Sequence, residues 1–157
     1  IESALFGFTQ NWAGSPLVLG LSMDDNMRAE LCVETLKDAC RGYPEMSTAI
    51  VHSDRGSQYT SEKYRAAIAE FKIRQSMNSA GGRCHDNARC ESMWARMKSE
   101  LFYLRNRKPE NYTIEELKTL VWRYFMGYWN NRRICSAICG VPPAIKRSRY
   151  YVLNAAA

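Results

Sequence analysis

Residues 48–52, Thr-Ala-Ile-Val-His, form a brief and mostly apolar run bounded by turn-forming residues, with stretches of helical periodicity on both sides. Five residues are too few for a helix, and such a run suits a buried strand. A buried strand needs helices to cover it, so this segment commits the chain to an α/β arrangement. It also delivers Asp54 at its C-terminal end.

The flanking segments agree. Residues 4–9 and 17–23 are short and apolar, with Gly14 and Pro16 between them, which reads as a hairpin. Asp25 or Asn26 can cap a helix over residues 27–40 whose inner stripe is Ala29, Cys32, Val33, Leu36 and Cys40. Ser61 caps a second helix, with Tyr64, Ala67, Ile68 and Phe71 on one face, and residues 72–77 alternate as a strand. Residues 78–83 read as a loop leading into a helix that starts near Asp86 or Asn87. Thr113 and Glu116 have the spacing of a capping box ahead of a stripe of Ile114, Leu117, Val121, Tyr124, Phe125 and Tyr128. Trp122, Tyr128 and Trp129 are expected to serve packing. Pro143 can open a last short helix.

Charge is unevenly spread. Residues 1–82 carry eight Lys or Arg against ten Asp or Glu, whereas residues 83–149 carry fourteen against six. A cationic half argues for a polyanionic partner, most simply nucleic acid. The six cysteines include no Cys-x-x-Cys pair, so they are read as reduced thiols rather than a zinc site. No run is long enough to span a membrane and no signal peptide is visible, so a soluble, cytoplasmic protein with no membrane partner is expected.

Asp54 lies in Val-His-Ser-Asp-Arg-Gly-Ser-Gln-Tyr at 51–59, and Glu91 in Asp-Asn-Ala-Arg-Cys-Glu-Ser at 86–92. One acid at the end of a buried strand and another in the first turn of a helix can converge at one edge of an α/β sheet. Acids so placed could hold metal ions for displacement at phosphorus. Spacing alone also allows Asp54 to be a turn former and Glu91 a charge suited to its helix end.

These two motifs, with Ser-Met-Asn-Ser-Ala-Gly-Gly at 76–82 and Tyr-Trp-Asn-Asn-Arg-Arg at 128–133, resemble the catalytic core of the DDE transposases of bacterial insertion sequences, relatives of the retroviral integrases. The insertion sequence three group is the most similar. The resemblance runs from about Val18 to Arg149. It implies a ribonuclease H-like α/β fold in which residues 1–104 form an N-terminally truncated catalytic core and residues 105–157 a helical C-terminal extension of the same domain.

The activity it implies is magnesium- or manganese-dependent DNA cleavage and strand transfer at insertion-sequence ends. The partners are terminal-repeat and target DNA, with a homo-oligomer forming on the DNA. Asp54 then matches the second acid of a catalytic and metal-binding triad and Glu91 the third. Arg55, Ser57, Gln58, Tyr59 and Lys98 match positions expected against DNA. Polar loop positions and a solvated lysine are the plain alternatives. His52 and His85 are expected to pack or lie near phosphate, and Asn87 to steady the helix of Glu91.

No residue matches the triad's first Asp. Only 53 residues precede Asp54, and Glu2, Asp24 and Asp25 fall in other contexts. The first, central strand is expected to be absent with it. A catalytically inactive DNA-binding fragment and a ribonuclease H-like nuclease therefore stand beside the transposase reading.

Overall fold

The computed structural model describes residues 2–7, 16–26, 28–77 and 88–155. The loop expected at 78–83, the turn at 11–15, Asn87, His85, Cys84 and Asp86 lie outside these.

Strands β1 (Glu2–Gly7) and β2 (Val18–Asp24) pair antiparallel, as the hairpin reading expects. The register runs from Glu2 opposite Asp24 to Phe6 opposite Gly20, then slips so that Gly7 faces Val18. Leu19 is therefore an extra residue, and such a bulge reverses which side chains face which side. Its effect is visible in the packing. Val18, Leu21 and Met23, which a regular strand would not place on one face, all join one apolar cluster, while Leu17 and Leu19 join another.

Helix α1 (Ala29–Gly42) crosses this hairpin. It starts two residues later than expected and has no side-chain cap, because Asp24, Asp25 and Asn26 bond to one another instead. Its buried face is Leu31, Cys32, Thr35, Leu36 and Ala39. Ala29, Val33 and Cys40 of the expected stripe are only partly covered. Gly20 explains how closely the helix sits: a Cβ there would come within 2.6 Å of the Thr35 carbonyl oxygen.

After a 3-10 turn (Pro44–Thr48), β3 (Ile50–Ser53) pairs in parallel with β4 (Arg74–Met77) through α2 (Ser57–Thr60) and α3 (Glu62–Glu70). The Ser61 side chain accepts from the Tyr64 amide, which confirms that cap. Expected to be a buried strand, β3 is buried on one face only. Val51 and Ser53 are inside, while His52 is exposed and its Nδ1 lies 3.1 Å from Ser76 Oγ on the neighbouring strand. Among the described residues the two pairs of strands do not join into one sheet.

Helix α4 (Ala88–Leu101) buries Met93, Met97 and Leu101 at steps of four residues. Helix α5 (Ile114–Trp122) opens with the expected capping box and runs straight into a π-helical segment, Arg123–Trp129. Bonds of the i→i+5 kind add about one residue to each turn. The inner face therefore passes from Val121, Tyr124 and Phe125 to Trp129 and Asn130, leaving Tyr128 43% exposed. This corrects the expected stripe at Tyr128. Ile114 and Trp122 are also exposed, so of the three residues expected to pack only Trp129 is buried. Helix α6 (Pro143–Ala155) begins at Pro143 and docks through Arg147 and Tyr151, which both bond to Glu45.

Two apolar clusters result. One joins β2, α1, β3 and α3; the other joins β2, α4, α5 and the π-helical segment. Residues beyond 105 thus share a core with α4. No helix among the described residues is long and apolar enough to cross a membrane.

Candidate active site

Asp54 leaves the C-terminal end of β3 and bends the chain at once. Its Oδ1 accepts from the Gly56 amide at 2.8 Å, and Ser53 Oγ donates to the Asp54 carbonyl oxygen at 3.0 Å. An aspartate that bonds its own backbone two residues on makes a tight turn. The bond holds the carboxylate in one orientation. Asp54 and Arg55 are both exposed.

The next residues fold back against the turn. The Gln58 amide lies over Gly56, where a Cβ would stand 2.5 Å from Nε2. Ser57 is exposed and Gln58 partly covered. Tyr59, grouped by sequence with the DNA-facing positions, instead packs on the first apolar cluster. Its ring meets Tyr64 edge-on at 5.4 Å, its carbonyl oxygen accepts from Gln75 Nε2 at 2.9 Å, and its phenol pairs with the Cys32 thiol. Burial pushes that phenol's pKa well up, with Cys32 adding to the effect. The structure thus gives Tyr59 the task of anchoring the Asp54 loop to α1.

Glu91 is exposed in the first turn of α4, where a negative charge suits the helix dipole. Lys98, seven residues on, is exposed in the last turn, where a positive charge suits it equally. The residue that relates the two acids is Cys90. Its thiol is pushed up in pKa first by burial and then by the charges of both Glu91 and Asp54, against a hydrogen bond from Trp94 that lowers it. Both charges thus bear on the Cys90 thiol, that of Glu91 more than that of Asp54. Sequence reasoning passed over Cys90; its position beside Glu91, on the inner side of that helix turn, was the available signal. Trp94 continues the support by meeting Phe125 edge-on at 5.2 Å in the second cluster.

The remaining acids go elsewhere. Asp24 and Asp25 bear on Lys118 of α5. Glu100 accepts from Tyr124 at 2.8 Å and forms an ion pair with Arg133 at 3.0 Å, while the Arg133 guanidinium lies 4.7 Å from the Trp129 ring centre. Arg133 is thereby tied into the packing of α4. Among the described residues no three His, Cys, Asp or Glu side chains are grouped to hold a metal ion. Asp54 and Glu91, both exposed, each present carboxylate oxygens to solvent.

Comparison with known proteins bears on what such a pair belongs to. A family model described as Integrase core domain matches residues 14–83. The putative transposase InsK for insertion sequence element IS150 of Escherichia coli (strain K12) is 33% identical over 135 residues, covering 86% of this chain and 46% of that protein. The transposase InsF for insertion sequence IS3A of the same strain is 34% identical over 130 residues, covering 82% and 43%. This chain therefore spans about half the length of the curated relatives it matches.

Two solved structures share the fold. The catalytic core domain of BIV integrase matches with a TM-score of 0.63 at 14% identity, over 97% of this chain and 96% of that one. The HTLV-2 integrase catalytic core domain in complex with magnesium (trimeric form) matches with a TM-score of 0.57 at 12% identity, over 93% and 92%. The fold is that of the integrase catalytic cores, which is ribonuclease H-like.

Proposed function

Since the chain belongs to the transposases of bacterial insertion sequences and carries their integrase core, we propose that it supplies part of the catalytic centre for DNA cleavage and strand transfer at insertion-sequence ends. The observation that carries this reading is Asp54 at the C-terminal end of β3, one carboxylate oxygen held by the Gly56 amide, with Glu91 exposed in the first turn of α4, in a fold shared with the integrase catalytic cores. Asp54 and Glu91 are the catalytic and metal-binding residues in it, and the ion is magnesium or manganese.

The donors suit such an ion. Hard divalent cations take carboxylate oxygens, and the Gly56 amide leaves one Asp54 oxygen to bind while fixing its direction. When bound, the cation activates a nucleophilic oxygen and stabilises the leaving oxygen at phosphorus. Arg55, Ser57 and Gln58 lie on the same turn as Asp54, where they contact the DNA strand being cut. Lys98 sits two turns along α4 from Glu91 and meets a neighbouring phosphate. Tyr59 serves by holding the loop. Terminal-repeat and target DNA are the substrates, and copies assemble on them. Residues 1–104 form the catalytic core in this reading and 105–157 its helical extension, and action on DNA places the protein in the bacterial cytoplasm at the nucleoid.

The inactive DNA-binding reading is kept because the described residues offer two acids rather than three. Nicking and end-joining are to be measured on DNA carrying the element's terminal repeats, with magnesium or manganese, for the wild type, Asp54→Asn and Glu91→Gln. Activity in the wild type alone, with unchanged circular dichroism in the variants, supports the transposase reading. DNA binding without turnover under either ion favours the inactive reading, and cutting without joining favours a nuclease.

A further inference from the structure

A second cationic feature stands at the opposite end of α4 from Glu91. A 3-10 turn (Tyr103–Arg105) follows the helix, and the chain then reverses at Asn106, whose φ of 50° lies in the left-handed region that asparagine tolerates. The turn is held firmly. The Arg105 and Arg107 amides both donate to the Phe102 carbonyl, at 3.1 and 2.9 Å, and the Asn106 amide donates to Tyr103 at 3.1 Å. Phe102 itself is 4% exposed and meets the Tyr112 ring at 6.3 Å.

The anchored turn presents apolar and cationic side chains together. Tyr103 and Leu104 are 68% and 76% exposed, and Arg105, Arg107 and Lys108 are all exposed beside them. Arg41, Lys63, Lys118, Arg133 and Arg147 each pair with a carboxylate, whereas Arg28, Arg65 and Arg149 stand singly elsewhere on the surface without an ion pair among the described residues. Among the described residues Arg105, Arg107 and Lys108 make no ion pair. Three unneutralised cations around two exposed apolar side chains, on a turn with fixed geometry, match the chemistry of a nucleic-acid backbone, where phosphates alternate with sugars.

We propose that the turn at 103–108 is a second DNA-contact site, gripping the phosphate backbone of the duplex away from the scissile phosphate. The proposal rests on the transposase reading of Asp54 and Glu91 but concerns a different surface. Phe102 lies eleven positions after Glu91, so the two ends lie about 16 Å apart at 1.5 Å per residue. At about 3.4 Å per base pair this corresponds to roughly five base pairs of duplex. Lys98 lies between them on the same helix. Tyr103 and Leu104 rest against the sugars, and Arg105, Arg107 and Lys108 meet phosphates.

The test is the salt dependence of binding to a short DNA duplex, without metal ions, by fluorescence anisotropy. Each phosphate contact contributes about 0.9 to the slope of log K against log salt. The triple variant Arg105→Gln, Arg107→Gln, Lys108→Gln is expected to bind more weakly with a slope shallower by about two to three. A control with the same change in net charge, Arg28→Gln, Arg65→Gln, Arg149→Gln, is expected to keep the wild-type slope, and Tyr103→Ala to weaken binding several-fold at unchanged slope. All variants are checked for an unchanged thermal unfolding midpoint, and single substitutions at Arg105, Arg107 and Lys108, each expected to lower the slope by about one, replace the triple if it unfolds early. Equal slopes in the turn variant and the wild type, or equal losses in turn variant and control, overturn this site while leaving the assignment of Asp54 and Glu91 standing. Absence of duplex binding by the wild type overturns both.

Discussion

Asn130 and Val18, 112 residues apart in the chain, exchange two buried hydrogen bonds: the Val18 amide donates to Asn130 Oδ1 at 2.9 Å, and Asn130 Nδ2 donates to the Val18 carbonyl at 2.8 Å. Trp129 adds a third, from Nε1 to the Pro16 carbonyl at 2.9 Å. Two adjacent side chains of the helical region thus satisfy alternate residues along the outer edge at the start of β2, a place where unpaired backbone invites mispairing. Asn130→Leu leaves both Val18 groups buried and unsatisfied, and is expected to cost about 2–4 kcal/mol by denaturant unfolding. Asn130→Asp, which cannot donate to the carbonyl, is expected to be no better. Faster amide exchange at Val18 in both variants would tie the loss to this pair.

Gly20 and Gly127 separate two kinds of glycine. At Gly20 a Cβ meets the α1 backbone at 2.6 Å, so Gly20→Ala forces the helix away from the hairpin and is expected to destabilise by about 1–3 kcal/mol. At Gly127 a Cβ meets nothing within 4 Å, and Gly127→Ala is expected to stabilise by about 0.5–1 kcal/mol through reduced freedom of the unfolded chain. In a domain of this size 1 kcal/mol moves the melting temperature by about 2–4 °C. Calorimetry on both variants should show shifts of opposite sign.

Glu100 makes stability depend on pH. Burial pushes its pKa up, but hydrogen bonds from Arg133 and Tyr124 and the Arg133 charge outweigh that and leave it below the usual carboxylate value. The unfolded chain therefore takes up this proton more readily than the folded one. The stability Glu100 contributes is complete above the unfolded value of about 4.3 and is lost as pH falls through its depressed folded value. Glu100→Gln is expected to be less stable than the wild type at pH 7, with the gap narrowing toward low pH. Urea midpoints measured from pH 2 to 7 read this directly, and a gap that widened on acidification would exclude it.

The described strands form two separate pairs, β1 with β2 and β3 with β4. A two-stranded sheet is marginal by itself, and unpaired strand edges seek partners. The isolated chain is expected to self-associate as its concentration rises in sedimentation velocity runs. A concentration-independent monomer with one sharp unfolding transition would count against this.

Much of the architecture was legible along the chain because it depends on neighbours in sequence. Periodicity placed the helices and strands to within a few residues, and the Ser61 cap and the Thr113–Glu116 box follow from bonds spanning three positions. The motifs around Asp54 and Glu91 named both acids and the family. The expected caps at Asp25 and Asn26 failed because those side chains found each other. The expected inner stripe failed at Tyr128 because the helix widens there, and no local pattern announces a π-helical segment. Tyr59 was legible as a loop residue, but not as one whose phenol turns inward to Cys32.

By itself, then, the sequence determined the order of elements, the hairpin, the position of each acid and the lineage, since all of these rest on residue type and short spacing. The tertiary structure decided which faces are buried, that Tyr59 packs edge-on against Tyr64, and that Asn130 closes the edge of β2 at Val18. The buried faces and the Asn130 closure depend on where distant segments meet. A one-residue bulge at Leu19 and a π-helical widening before Trp129 are enough to move Val18 and Tyr128 off the faces that regular strand and helix periods give them.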